Sequence, residues 1–119
     1  MSDVSLLGTG LLGAPIALRL ASTGLSVTVW NRTPSKAEAL GEAGLSVVPT
    51  AAEALHVSPV AILMLADAPA IRAVLASPGA ADALAGRTVV QMGTIGPDES
   101  RAFAVEVAAA GGEWVEAPV

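Results

Sequence analysis

Three glycines near the N-terminus constrain this chain more than any other feature, because they stand between a strand-like run and a helix-like run. They are Gly8, Gly10 and Gly13, in the sequence Gly-Thr-Gly-Leu-Leu-Gly. Residues 4–7 before them are mostly apolar, which suits a strand buried on both faces. After them, small and apolar residues recur at helical spacing up to Gly24, a residue type that commonly ends helices. A strand, a glycine-rich turn and a helix in this order predict the first unit of a layered α/β fold.

Each residue of the glycine loop has a separate predicted task. Gly8 permits a tight turn, Gly10 lets the backbone approach a bound pyrophosphate, and Gly13 lets the helix pack closely on the strand. Free backbone N–H groups at the helix N-terminus would donate to the phosphate oxygens. Leu11 and Leu12 complete the loop, so these five residues are predicted contacts of a dinucleotide. The alternative is a glycine-rich turn that binds nothing.

The rest of the chain alternates between strand-like and helix-like segments. Further strands are predicted at 25–30, 45–48, 60–65, 88–92 and 113–117. Helices are predicted at 34–44, 51–56, 69–76, 80–84 and 97–110. Thr33 is predicted to cap the helix that opens with Pro34, and Thr50 and Glu53 are spaced as a capping box. Because parallel strands need crossover helices, the sequence predicts one α/β domain, a doubly wound parallel Rossmann-type sheet in three layers, helix–sheet–helix.

Composition excludes several classes of protein. Six basic residues stand against eleven acidic ones, a net charge of −5, so the chain lacks the basic surface that nucleic acid requires. With no cysteine and a single histidine, His56, neither a disulfide framework nor a structural zinc site is predicted. Residues 4–20 are apolar but are interrupted by glycines, Pro15 and Arg19, so no signal peptide or membrane span is predicted. A cytoplasmic protein that binds neither nucleic acid nor membrane is expected.

The residues after the second predicted strand indicate which dinucleotide fits. A site for NAD usually places an Asp or Glu there, which binds the adenosine ribose hydroxyls. This chain has Asn31, followed by Arg32, Thr33 and, one helical turn on, Lys36. Two cations, a hydroxyl and no carboxylate favour a ribose 2′-phosphate, so NADP is preferred over NAD as the cofactor. The alternative is a solvated basic turn.

Four segments, spread over nearly the whole chain, resemble one family. Residues 8–15 are similar to its opening loop, and residues 64–67, Met-Leu-Ala-Asp, to its motif after the fourth strand. Residues 91–97, Gln-Met-Gly-Thr-Ile-Gly-Pro, and residues 114–119, Trp-Val-Glu-Ala-Pro-Val, are similar to its later motifs. The family is the β-hydroxyacid dehydrogenases, which include 3-hydroxyisobutyrate dehydrogenase and the dinucleotide domain of 6-phosphogluconate dehydrogenase.

The resemblance assigns roles near the nicotinamide end of the cofactor. It implies that Leu65, Ala66 and Thr94 border the nicotinamide ribose. The family usually has Asp and Ser where this chain has Gln91 and Gly93. The chain therefore keeps the family's predicted contact residue Thr94 but departs from its pattern on either side of Met92.

The family's catalytic parts are not among these 119 residues. In the family, a substrate-binding Ser-Gly-Gly follows, then a long helix with a catalytic lysine and an all-helical domain for substrate and homodimerisation; Lys36 matches no catalytic position. The resemblance thus implies an NADP-binding domain, 1–119, of an oxidoreductase that exchanges hydride with a small 3-hydroxy acid or its carbonyl partner. No catalytic residue and no metal ligand is assigned in this chain, and the chain alone is expected to be inactive.

Three alternatives remain. Imine reductases have a similar architecture and often the Trp-Asn-Arg-Thr-Pro run of residues 30–34, so the substrate of the full enzyme is a hydroxy acid, an aldehyde or an imine. A second alternative is a non-catalytic module that senses or scaffolds with NADP. A third is a folded domain that no longer binds a dinucleotide.

Five other residues carry weaker predictions. His56 is predicted to be a capping or surface residue, away from the ligand edge of the sheet. Trp30 either lies against an adenine or is simply packed, and Asp67 either approaches the cofactor or begins a loop. Glu113 and Glu116 are predicted to be solvated.

Overall fold

The computed structural model describes residues 2–9 and 13–117, and within them the chain forms one six-stranded sheet flanked by helices. The strands are β1 (Val4–Leu7), β2 (Val27–Trp30), β3 (Ser46–Val47), β4 (Val60–Leu63), β5 (Thr88–Gln91) and β6 (Glu113–Glu116). The helices are α1 (Gly13–Ser22), α2 (Pro34–Glu42), α3 (Ala51–His56), α4 (Ala68–Leu75), α5 (Ala80–Leu84) and α6 (Pro97–Ala109). Element order and type therefore follow the predicted alternation.

The strands lie in the order β3-β2-β1-β4-β5-β6, and every pairing is parallel. Val4 on β1 is opposite Val27 on one side and Val60 on the other. The order runs outward from β1 in one direction and then from β4 in the other, which makes the β1/β4 boundary the switch point of a doubly wound sheet. The predicted Rossmann-type fold is confirmed.

Two apolar layers cover the sheet, and adjacent residues of β1 contribute to different ones. Leu6 packs with Ala17 of α1 and Leu40 of α2, whereas Leu7 packs in a second cluster that includes Phe103 of α6. Both leucines are 0% exposed. A strand buried on both faces stabilises the fold from two sides, at about 1.5–3 kcal/mol for each fully buried leucine. The predicted three-layer arrangement is confirmed.

Strand and helix ends are shorter than predicted where local geometry intervenes. The strand predicted at 25–30 begins only at Val27, because Leu25 is 41% exposed and the Ser26 amide donates to Asp3 Oδ2 at 2.7 Å. The helix predicted to reach Gly44 ends at Glu42, and Gly44 takes a left-handed φ of 96° that terminates it. Periodicity locates the elements well but does not show where backbone hydrogen bonding changes direction.

Two predicted helix caps differ in outcome. Thr33 occupies the N-cap position of α2, but its side chain makes no capping hydrogen bond, so that prediction of a side-chain cap is wrong. Pro34 at the first helical position has no N–H to satisfy, which lowers the demand for a cap. Thr50 caps α3 as predicted, its hydroxyl accepting from the Glu53 amide at 3.2 Å.

Candidate functional site

The glycine loop lies at the switch point, and two of its glycines are required by space. The Gly8 amide donates to the Trp30 carbonyl at 2.9 Å, and its φ of 103° is left-handed. A Cβ on Gly8 would lie 2.3 Å from the Met64 carbonyl oxygen, and one on Gly13 would lie 2.1 Å from the Gly8 carbonyl oxygen. No side chain fits at either position, which agrees with the tight turn and the close helix packing expected for these residues. Gly10 lies outside the described residues.

The predicted contacts Leu11 and Leu12 also lie outside the described residues, so the structure places only the two ends of the loop. Those ends bring Gly8 and the start of α1 together, since a Cβ on Gly13 would lie 2.1 Å from the Gly8 carbonyl oxygen. The helix N-terminus is thereby aimed at the carboxyl edge of the sheet, where doubly wound proteins bind ligands.

Asn31 has a task that the sequence did not indicate. Its side-chain Oδ1 accepts from the Thr9 amide at 3.0 Å, and its Nδ2 donates to the Thr33 carbonyl at 3.0 Å. The residue was expected to contact a ribose phosphate, but both ends of its amide are engaged within the protein. It therefore connects the glycine loop to the turn between β2 and α2, two segments 22 residues apart in sequence.

A cleft of about 610 Å³ opens beside this connection. It brings together residues that the sequence singled out separately: Gly8, Trp30, Asn31, Arg32, Thr33, Lys36, Leu65 and Ala66. They come from the carboxyl ends of β1, β2 and β4 and from the first turn of α2. The predicted adenosine-side residues thus share one concave surface with Leu65 and Ala66, two of the three predicted nicotinamide-side residues.

The cleft is cationic although the chain is acidic. Arg32 and Lys36 are the charged side chains among its lining residues, and no Asp or Glu lines it in the part of the chain that the structure describes. Elsewhere Arg72 has Glu106 as an ion-pair partner and Arg101 has Asp98. Neither Arg32 nor Lys36 takes part in these pairs, and both are exposed. Such a pair of solvated cations is suited to binding a phosphate dianion.

One wall of the cleft is apolar and was not predicted from the sequence. The N-terminal end of α3 and one face of α4 form it, through Pro49, Ala51, Ala52, Ala70, Ala73, Val74, Ser77 and Pro78. Residues 70, 73, 74 and 77 follow the spacing of one helical face, and three of them are small. That spacing was the available signal, but only a helix at residues 69–76 was predicted from the sequence. A surface without large or charged groups can take a flat apolar ring.

The remaining predicted residues lie outside the cleft. Thr94 is exposed on the loop that follows β5 and does not line the cleft. Asp67 caps α4, since its Oδ1 accepts from the Ala70 amide at 3.0 Å, and it too is absent from the lining. Of the two roles considered for Asp67, the structure shows the local one.

His56 and the two terminal glutamates take positions close to those expected. His56 is exposed at the end of α3, next to Val57, whose carbonyl accepts from Ser2 at the amino edge of the sheet. Glu113 and Glu116 are both exposed, as predicted. Glu116 is not merely solvated, however, because its Oε2 accepts from the Ser100 hydroxyl at 2.5 Å.

Over residues 2–9 and 13–117, no group of three or more metal-ligating side chains is found. In the same ranges no helix has both the length and the apolar character needed to cross a membrane.

Comparison with known proteins agrees with this geometry. A family model for the NAD binding domain of 6-phosphogluconate dehydrogenase matches residues 3–119. Glyoxylate/succinic semialdehyde reductase 1 of Arabidopsis thaliana is 34% identical over 119 residues, which cover 98% of this chain and 41% of the plant protein. The chain spans between 21% and 41% of the length of the curated relatives with which it is compared.

Two solved structures show the same fold over nearly all of this chain. An imine reductase from Streptomyces aurantiacus superposes with a TM-score of 0.90 and 37% identity, covering 96% of this chain and 40% of that one. A reductive aminase from Aspergillus terreus, solved in complex with NADPH and ethyl levulinate, gives 0.85 and 31%, covering 98% and 40%. With the family model matched from residue 3 to residue 119, the chain belongs to the family of the nicotinamide dinucleotide-binding domain of 6-phosphogluconate dehydrogenase and related hydroxyacid reductases.

Proposed function

We propose that this domain binds NADP(H) in preference to NAD(H), with the adenosine half of the cofactor in the cleft. The observation that carries the proposal is the pair Arg32 and Lys36 in a cleft whose described lining contains no carboxylate. A 2′-phosphate brings two negative charges close to these cations, and an unphosphorylated ribose brings none. An NAD site would instead need a carboxylate at the end of β2, where this chain has Asn31.

The residues fit the cofactor in three places. The pyrophosphate would lie at the glycine loop, whose tight turn depends on Gly8 and Gly13, because a Cβ at either position would collide with a backbone oxygen. The 2′-phosphate would lie against the Arg32 guanidinium, the Thr33 hydroxyl and the Lys36 ammonium. The adenine would lie against the apolar wall of α3 and α4. Backbone amides, a cation pair and a flat apolar surface match the three chemical parts of this half of the cofactor.

The Asn31 side chain holds the glycine loop in place before a ligand binds. Asn31 fixes the Thr9 amide and the Thr33 carbonyl at once, so the loop and the phosphate-side turn keep one spacing. Because that spacing exists before a ligand binds, less conformational entropy is lost on binding.

We further propose that residues 1–119 form the cofactor domain of an oxidoreductase. When bound, the nicotinamide exchanges a hydride with a substrate, and the protein supplies orientation and electrostatics. A small 3-hydroxy acid or its carbonyl partner is the proposed substrate class, supported by the similarity to the plant glyoxylate/succinic semialdehyde reductase. An imine is the second candidate, supported by the structural similarity to the imine reductase. The part that binds substrate and forms homodimers is proposed to lie outside this chain, which alone would be inactive.

Calorimetric titration tests the cofactor assignment. We expect NADPH to bind at least about tenfold more tightly than NADH, since a charge-assisted contact contributes about 1.5–3 kcal/mol. Arg32→Ala should remove most of that difference while leaving NADH affinity unchanged. Arg19→Ala is the matched control, because Arg19 is an exposed arginine of α1 outside the cleft lining. Equal affinity of the wild type for NADPH and NADH would refute the preference. If Arg19→Ala loses NADPH affinity as Arg32→Ala does, the specific role of Arg32 is refuted.

A non-catalytic NADP-binding module is the second candidate function, and Gln91 and Gly93 favour it because they replace the family's usual polar pair. The coding sequence downstream of residue 119 discriminates between the two. A Ser-Gly-Gly followed by a helix that carries a lysine supports the enzyme. A downstream sequence without them supports the sensing or scaffolding module.

A further inference from the structure

Gln91, the last residue of β5, is a polar side chain in a fully buried position. It is 0% exposed, and its Nε2 donates to the Gly93 carbonyl at 3.1 Å. Its Oε1 is buried with no hydrogen-bond partner among the described residues. A buried side-chain amide costs stability unless it makes hydrogen bonds. The hydrogen bond from Gln91 to Gly93, two residues further on, fixes the direction in which the chain leaves β5.

Position 93 requires glycine because a Cβ does not fit there, and its backbone φ lies outside the left-handed region. A Cβ there would lie 2.7 Å from the Leu65 carbonyl oxygen and 3.4 Å from Gln91 Nε2. Non-bonded carbon and oxygen atoms lie about 3.3 Å apart or more, so a side chain at position 93 would separate the two loops by roughly 0.6 Å. Because the atom approached is a backbone oxygen, a rotamer change cannot relieve the contact.

The two loops in contact are the ones that continue β4 and β5 beyond the sheet. The last ladder bond between them runs from the Met92 amide to the Leu63 carbonyl at 3.0 Å. Past that bond, the approach of Gly93 to Leu65 sets their separation. One loop carries Leu65 and Ala66 on the cleft wall, and the other carries Thr94. In a doubly wound sheet the ligand crosses the carboxyl edge at the switch point, here between β1 and β4. The far half of a dinucleotide would then pass over the loops after β4 and β5, so the separation of these loops sets the width available to it.

Gln91 and Gly93 are joined to each other by the side-chain hydrogen bond, and Gly93 approaches the β4 loop at the Leu65 carbonyl oxygen. We propose that Gln91 and Gly93 are positioning residues that hold the β4 and β5 loops at the spacing the nicotinamide half of NADPH requires. The inference rests on the proposed function, since it concerns the other half of the same cofactor.

Gly93→Ala tests the spacing through two ligands. We expect its NADPH affinity to fall by about tenfold, which corresponds to a loss of about 1.4 kcal/mol in contacts with the nicotinamide half. Affinity for 2′-phospho-AMP, which lacks the nicotinamide half, should stay within about twofold of wild type. Gly96→Ala is the matched control in the same loop, because its Cβ would meet only Glu99 side-chain atoms, at 3.4 Å or more. Its affinities for both ligands should be unchanged.

Gln91→Met provides the second variant, because it keeps the length of the side chain and removes the donor to Gly93. This variant too should lower the affinity for NADPH and leave the affinity for 2′-phospho-AMP unchanged. If Gly93→Ala does not fold, as judged by circular dichroism, Gln91→Met decides the question. Equal weakening of both ligands would make the pair merely structural and overturn the inference, as would an unchanged NADPH affinity.

An amide NMR spectrum without ligand tests the loop contact separately. Gly93→Ala should shift the Leu65 and Ala66 amide resonances, and Gly96→Ala should not. Unmoved Leu65 and Ala66 resonances in folded Gly93→Ala would overturn the inference even if the domain binds NADPH. If wild type binds neither NADPH nor 2′-phospho-AMP, the proposed function fails instead. Those two failures are therefore distinguishable.

Discussion

Asn31→Ala should destabilise the free domain, because it removes one hydrogen bond between the glycine loop and the turn after β2 and one within that turn. The Thr9 amide and the Thr33 carbonyl each lose a partner. One hydrogen bond contributes about 1 kcal/mol net, so the pair contributes about 2 kcal/mol. Thr9 is 5% exposed, so water cannot readily replace the lost acceptor, and the cost lies at or above this value.

The expected loss can be measured as a melting temperature. For a chain of this size, 1 kcal/mol corresponds to roughly 3–6 °C, so Asn31→Ala should melt about 6–12 °C below wild type by calorimetry or circular dichroism. Its affinity for NADPH should also fall, by about fivefold to tenfold, because the loop must then be ordered during binding.

Asn31→Asp separates the two bonds. An aspartate keeps an acceptor for the Thr9 amide but places an oxygen, not a donor, against the Thr33 carbonyl. We expect a smaller loss of stability than in Asn31→Ala but a larger loss of NADPH affinity, because a negative charge then lies beside Arg32. If Asn31→Ala melts within about 2 °C of wild type, the two contacts do not hold the loop, and the reasoning fails.

Three further outcomes follow from contacts described above. Gly13→Ala places a Cβ 2.1 Å from the Gly8 carbonyl oxygen and should lower the melting temperature by more than about 10 °C or prevent folding. In Gly24→Ala the added Cβ has no atom within 4 Å, so the free energy of unfolding should fall by only about 1–2 kcal/mol, from the left-handed φ. Asp67→Ala removes the cap of α4 and should cost about 1 kcal/mol in denaturant titration without changing the NADPH dissociation constant. Raising the salt concentration from about 0.05 to about 0.5 M should weaken NADPH more than NADH, because only NADPH depends on screened contacts with the two cations of the cleft. Parallel salt dependence for both cofactors would contradict that assignment.

Features that depend on local spacing could be predicted from the sequence. Three such features leave a periodic or compositional signal. They are the positions of Gly8 and Gly13, the buried strand that precedes Gly8, and the alternation of strands and helices that gives a parallel sheet. The cluster at Arg32 and Lys36 was also visible, because both residues follow one strand. Such features depend on neighbours within one or two helical turns, where the chain itself determines proximity.

Features that depend on distant segments could not be predicted in the same way. The cleft wall needs α3 and α4 to border the same cleft, and nothing in Ala52 or Ala73 alone indicates that they do so. The contact of Asn31 with Thr9 spans 22 residues and depends on side-chain geometry, which residue type does not fix. Gly93 was noticed only as a departure from a pattern, and its physical reason is a backbone oxygen on another loop.

The central place of β1 in the sheet also dictates an order of assembly. Its pairing on one side uses β2, available once residue 30 has been synthesised, but its pairing on the other side uses β4, which ends at Leu63. Until then the Leu7 carbonyl lacks the Met64 amide that it accepts from at 2.9 Å, and one edge of β1 remains open. During synthesis one edge of β1 therefore has unpaired backbone groups that can pair with a wrong strand until more than half of the domain has left the ribosome. The cleft, although its loop is encoded at the very start of the chain, cannot be complete until Pro78, the last of its described lining residues in the chain, has been made.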